Sequence, residues 1–142
     1  MPASGSVPER GPLLAIEGVV ARQPANSERS HGLTVMENIL TAHPDIKAVF
    51  ATNDQMALGA VEAIAARKSA AGIVVVGFDA TAEAVRAIVE GRMSASVAQR
   101  PFEMGRRSVE AALALIDGRT VEARIDTGTE LVTSANAAGY KT

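Results

Sequence analysis

The chain has 142 residues, a formal net charge of −2, and a composition that is 47% hydrophobic but only 3% aromatic. That length suggests about one domain with enough apolar content for a real core, and the near-neutral charge gives no electrostatic footprint for nucleic acid or an anionic membrane. The absence of cysteine excludes disulfides, thiol catalysis and cysteine metal sites, and no apolar run approaches the roughly 18 residues of a membrane span.

Met1 to Pro12 is rich in Pro, Gly and Ser. It is expected to form a disordered lead, because it cannot bury enough apolar surface to offset its ordering entropy. It lacks the apolar core of a secretory signal, so the chain as given is expected in the cytoplasm. Residues 13–142 are expected to form one α/β domain. Leu13 to Ala21 reads as a strand broken by Glu17-Gly18, and Gln23-Pro24-Ala25-Asn26 as a turn. A helix follows over about Ser27 to Ala42, with Leu33, Met36, Ile39 and Leu40 on one face. His43-Pro44-Asp45 ends it, since a residue before proline avoids helical geometry.

Lys47 to Thr52 reads as a strand without alternation, as expected when both faces are covered. Asp54 can cap the next helix, which runs to about Arg67 with Ala57, Ala60, Val61 and Ile64 inward. Gly72 leads into a second apolar strand, Ile73 to Phe78. Thr81 caps a shorter helix carrying Val85, Ile88 and Val89, stopped by Gly91. Met93 to Ala98 alternates and is serine-rich, which predicts a strand with a wetter face. Pro101 suits the first turn of a helix over 101–117. Its stripe is Phe102, Gly105, Val109, Ala112, Leu113 and Ile116, and Gly118 ends it. Val121, Ala123 and Ile125 alternate like a strand, and Leu131-Val132 is a further short strand candidate.

The three central strands run into Asn53-Asp54, Asp79 and Gln99. In an open parallel α/β sheet, ligands bind at the carboxyl ends of the strands. An amide such as that of Asn53 offers both a donor and an acceptor to a hydroxyl, and a carboxylate such as that of Asp79 accepts strong hydrogen bonds. Each residue also has a plainer role open to it. Asn53 or Asp54 can cap the helix, Asp79 can serve a turn, and Gln99 can be an ordinary loop residue. Their gathering at one rim is what points to a small polar ligand.

Catalytic patterns are lacking. His31 and His43 have no metal-ligand spacing to each other or to a carboxylate. There is no G-x-S-x-G, P-loop or G-x-G-x-x-G, so no cofactor and no enzyme activity are expected. Arg106-Arg107 reads as a solvated helix face.

Taken in order, several stretches form a specific set: Gln23-Pro24-Ala25-Asn26, Met36-Glu37-Asn38-Ile39-Leu40-Thr41-Ala42-His43-Pro44-Asp45-Ile46, Ala48-Val49-Phe50-Ala51-Thr52-Asn53-Asp54-Gln55-Met56-Ala57-Leu58-Gly59-Ala60, Val74-Val75-Val76-Gly77-Phe78-Asp79-Ala80-Thr81 and Glu90-Gly91-Arg92-Met93-Ser94-Ala95-Ser96-Val97-Ala98-Gln99. The set resembles the C-terminal lobe of periplasmic sugar-binding proteins of the ribose-binding type, the extracytoplasmic receptors of ABC importers. The resemblance covers roughly Gly18 to Val132. It implies part of a type I periplasmic binding protein fold: a three-layer open, mostly parallel sheet flanked by helices, with 101–117 as a helix crossing the hinge. It implies a monosaccharide ligand, pentose or hexose, an ABC permease as partner, and a periplasmic location. No nucleic acid partner and no direct membrane insertion are expected.

By the same resemblance, Asn53, Asp79 and Gln99 match positions that hydrogen-bond sugar hydroxyls, and Gln99 marks the hinge. Ser27 and Asp54 are further candidates for the ligand rim. Ser27 stands where many relatives place an aromatic that stacks on the sugar. Two lobes enclose the ligand in the family, and this chain is expected to carry only the later part of the second. Its 101–117 stripe would then fold back, stay exposed, or pair in a homo-oligomer or with a separate first lobe. The effector-sensing lobe of a lactose/galactose-repressor-type regulator is the alternative. No helix-turn-helix or basic N-terminal segment favours it.

Overall fold

The computed structural model describes residues 18–67 and 72–140. The expected lead at 1–12 and residues 13–17 of the first predicted strand lie outside them, and residues 18–21 form no strand. The described residues contain helices α1 (Arg29–Ala42), α2 (Asp54–Ala66), α3 (Ala82–Val89) and α4 (Pro101–Ile116) and strands β1 (Ala48–Phe50), β2 (Val74–Phe78), β3 (Ala95–Ala98) and β4 (Glu130–Thr133). The strands form one sheet in the order β1-β2-β3-β4. The first three are parallel, and β4 runs antiparallel to β3.

Local chemistry explains most boundaries. Pro44 follows the end of α1, where the His43 N–H still reaches the Ile39 carbonyl. Thr81 caps α3 by accepting from the Ala84 N–H. Gly91 and Gly118 follow α3 and α4 with φ of 71° and 70°, the left-handed conformation that closes a helix without a Cβ clash. Pro101 opens α4.

The parallel register places Val49, Val75, Gly77, Ser96, Ala98 and Val132 on one face of the sheet. Helices α1, α2 and α3 cover that face. Met36 and Leu40 of α1 meet Ala60 and Ala63 of α2 over Val49, while Leu58, Val61, Val85 and Ile88 close over Val75 and Val132. The opposite face carries Phe50, Val74, Val76, Phe78, Val97 and Leu131. There Phe50 remains 60% and Leu131 54% exposed. No helix among the described residues packs on it.

Three sequence expectations change, the first being that both faces of the Lys47 to Thr52 strand are covered: helices pack on one face only, and Phe50 is exposed on the other. The strand predicted from Met93 to Ala98 has no continuous wet face: Ser94 is exposed ahead of β3, but Ala95, Ser96 and Ala98 are buried. The serine hydroxyls serve internal partners instead, Ser94 Oγ accepting from the Val75 N–H and Ser96 Oγ from the Ala80 N–H. Val121 to Ile125 alternates but forms no strand. The side of β3 away from β2 is taken by β4, which follows this segment in the chain.

Helix α4 has no buried residue. Phe102 is 83% and Ile116 80% exposed, so the predicted apolar stripe stays bare. Neighbouring charges on its polar side support the helix. Arg106 bonds Glu103 and Glu110, and Arg107 bonds Glu103. Hydrogen bonds from Arg106 and then Arg107 lower the Glu103 carboxyl to about 2.

Candidate functional site

The carboxyl ends of β1, β2 and β3 lie side by side because the three strands are parallel neighbours. The chain leaves each through a polar residue: Asn53, Asp79 and Gln99 respectively. Hydrogen bonds tie the three exits together. Gln99 Nε2 donates to Asp79 Oδ1 at 2.6 Å. Asn53 Nδ2 donates to the Ser27 carbonyl at 3.3 Å, drawing the entry to α1 to the same rim. Asp54 Oδ2 accepts from the Thr81 N–H at 2.7 Å, joining the exits of β1 and β2.

Asn53, and not Asp54, caps α2. Its Oδ1 accepts from the Met56 N–H at 2.9 Å. The side chain still has one amide proton and one oxygen lone pair uncommitted, enough to serve a hydroxyl as donor and acceptor. Asn53→Ala is expected to cost about 1 kcal/mol of stability through the lost cap, with or without ligand. A denaturation midpoint equal to that of the parent chain would refute the cap.

Asp54 does not belong to the ligand rim. It is fully buried, and both of its oxygens point inward. Oδ1 accepts from Ser96 Oγ at 2.6 Å. Its charge sits in the first turn of α2, at the positive end of the helix dipole. Room for it comes from Gly77, where a Cβ would stand 2.3 Å from Asp54 Oδ1 and 2.6 Å from Met93 Cε. A glycine inside an otherwise apolar strand signals such a close approach, and that signal was available in the sequence.

Asp79 is exposed, and its backbone is strained. Its φ is 106°, and Ala80 follows at 51°. Two successive non-glycine residues at positive φ cost on the order of 1–3 kcal/mol each and persist only where the surroundings over-determine them. Here the N–H groups of residues 79, 80 and 81 are each held, by the Val97 carbonyl, Ser96 Oγ and Asp54 Oδ2. Ser27 sits at φ 60° at the mouth of the site and presents no ring.

Beside Gln99 a hollow of about 180 Å³ opens among Phe78, Met104, Arg124, Asp126 and Thr129. Asn53 and Asp79 do not line it. They face outward on the rim, which is therefore an open surface that a second body could cover. Among the described residues no cluster of His, Asp and Glu could hold a metal ion.

Residues 10–120 match the family model described as a periplasmic binding protein domain. The chain is 45% identical over 114 residues to the ribose import binding protein of Salmonella typhimurium, covering 80% of this chain and 38% of that protein. A solute-binding protein of Actinobacillus succinogenes solved with bound D-allose superposes with a TM-score of 0.77 at 33% identity, over 85% of this chain and 43% of that one. One from Bacillus halodurans with bound myo-inositol superposes at 0.73 and 40% identity, over 87% and 42%. The chain thus spans about two fifths of the length of these relatives. The repressor alternative gains no support from them.

Proposed function

This chain belongs to the periplasmic binding protein family, and from that premise we propose that its rim binds a monosaccharide as one side of the sugar site of an ABC-importer receptor. The carrying observation is that Asn53, Asp79 and Gln99 stand at the ends of adjacent parallel strands, with Gln99 bonded to Asp79 and the Asn53 exit joined to that of Asp79 through the Asp54–Thr81 bond. A sugar ring presents closely spaced hydroxyls that each donate and accept. Asp79 supplies acceptors, while Asn53 and Gln99 supply amides that do both. The groups bind and orient; no nucleophile or base pair stands among them. Sugar-facing aromatics are lacking and the rim is open on one side, so affinity is expected to be weak until a second lobe covers the ligand. The importing permease and the periplasm are the partner and compartment that follow from this reading.

Thermal unfolding with millimolar D-ribose, D-allose and other pentoses and hexoses tests it. Ligand binding to the folded state alone raises stability by about RT ln(1 + [L]/Kd), so a concentration near ten times Kd adds about 1.4 kcal/mol. A midpoint that no sugar moves overturns the proposal.

The partner side of the reading rests on two bare apolar surfaces, the α4 stripe and the open sheet face. Contiguous apolar patches of several hundred Å² are unusual on soluble monomers. The chain is expected to associate, with a second copy or with a chain supplying the first lobe. Sedimentation should show species larger than 14.7 kDa, reduced by Phe102→Glu with Ile116→Glu. A thermally stable monomer at all concentrations would sink this expectation.

A further inference from the structure

We infer that Asp54 and Ser96 are positioning residues that hold the Asp79 carboxylate in its binding geometry, an inference that rests on the sugar-binding reading above. Neither can touch a ligand, because both are fully buried. They act on the turn that carries Asp79. Asp54 Oδ2 accepts from the Thr81 N–H at 2.7 Å, Asp54 Oδ1 accepts from Ser96 Oγ at 2.6 Å, and Ser96 Oγ accepts from the Ala80 N–H at 3.0 Å. The Ser96 hydroxyl thus donates to the carboxylate and accepts from the backbone at once. The carboxylate on α2 thereby pins two consecutive amides on the far side of β2, directly or through one hydroxyl.

Those amides follow Asp79 in the segment with φ of 106° and 51°. Released from its partners, such a segment relaxes toward negative φ, which swings the Asp79 side chain off the rim. Gln99 alone would not prevent this, since its bond to Asp79 is exposed. Space for the carboxylate depends on Gly77, so three residues from α2, β2 and β3 serve a fourth that meets the ligand. A buried carboxylate bonded only to neutral donors also makes a poor case for stability by itself, because desolvation opposes it.

The test uses the 142-residue chain and two readouts. The first is amide hydrogen exchange without sugar. Asp54→Asn keeps the shape but replaces one acceptor oxygen by a donor, and is expected to speed exchange at Ala80 and Thr81 about tenfold more than at ladder amides of β2. Equal acceleration across the sheet would assign Asp54 to general stability and overturn the inference. The second is a D-ribose titration as a double-mutant cycle. Asp54→Asn is expected to weaken affinity about tenfold in the parent chain and less than about twofold in the Asp79→Asn background, because its effect passes through that carboxylate. The same loss in both backgrounds also overturns the inference. Ser96→Ala removes a single oxygen and carries both readouts if Asp54→Asn does not fold. A parent chain that binds no sugar refutes the proposed function instead, and the exchange result then decides the positioning of the turn by itself.

Discussion

Gly59→Ala is expected to destabilise the chain by about 3 kcal/mol, at the upper end of overpacking costs, and to lower its thermal midpoint by roughly 10 °C. A Cβ at 59 would lie 2.1 Å from the Arg29 carbonyl oxygen and 2.7 Å from the Leu33 nitrogen. Both are main-chain atoms of α1, so no side chain can rotate away. The approach is mutual, for a Cβ on Gly32 of α1 would stand 2.6 Å from the Met56 carbonyl oxygen. Two glycines therefore set the distance at which α1 and α2 cross, and Met36, Leu40, Ala60 and Ala63 fill the space that distance leaves. Pushing the helices apart would open that core and strain the Arg29 bridges to Glu62 and Glu83. Gly105 is the internal control. A Cβ there meets nothing within 4 Å, so Gly105→Ala adds helix propensity to α4 without a clash and should not destabilise. If Gly59→Ala melts with the parent chain, the close helix crossing is wrong.

Asp79→Gly is expected to abolish the sugar response while keeping the fold within about 1 kcal/mol of the parent stability. The two effects separate because of the backbone. At φ 106° an aspartate carries strain that glycine does not, so the substitution relieves cost in the turn as it removes the exposed bond to Gln99. Most single changes that destroy a site also weaken the fold, and their loss of ligand response is then hard to interpret. Here the sugar-free midpoint should hold or rise. The shift at ten times the parent Kd, about 1.4 kcal/mol and so roughly 4 °C, should vanish. A full shift in Asp79→Gly would show that the carboxylate does not hold the sugar. A collapse of the sugar-free midpoint would show that the turn relies on the Asp79 side chain more than on its three held amides.

Local rules were enough wherever one residue's own chemistry makes the decision. Thr81 caps, Pro101 starts a helix, and Gly91 and Gly118 end helices through short-range geometry, and each stands where the sequence places it. The strand ends bearing Asn53, Asp79 and Gln99 were legible for a related reason. Apolar runs that stop abruptly at a polar residue mark the strand exits, and parallel order brings them together. The choice between Asn53 and Asp54 as the cap was not legible. Either side chain can accept from a nearby backbone N–H, and what draws Asp54 inward is a hydroxyl on Ser96, 42 residues away. Ser96 of β3 misled for the same reason. Alternating polarity predicts solvent on one face, but a buried network consumes polar groups as readily as water does.

The strands expected at 18–21 and 121–125 did not form, while legible in the chain alone were the four helices, the strands around Val49, Val75, Val97 and Val132, the polar strand exits and the resemblance to sugar receptors. These rest on periodicity, caps and turn residues within reach of a few neighbours. Only the folded chain shows which face of the sheet is covered, that the α4 stripe finds no partner among the described residues, and that Asp54 is buried while Asp79 is exposed. Those outcomes depend on groups far apart in the chain competing for one buried space. That competition is settled by packing and by the cost of leaving a buried polar group unpaired, neither of which a local pattern records.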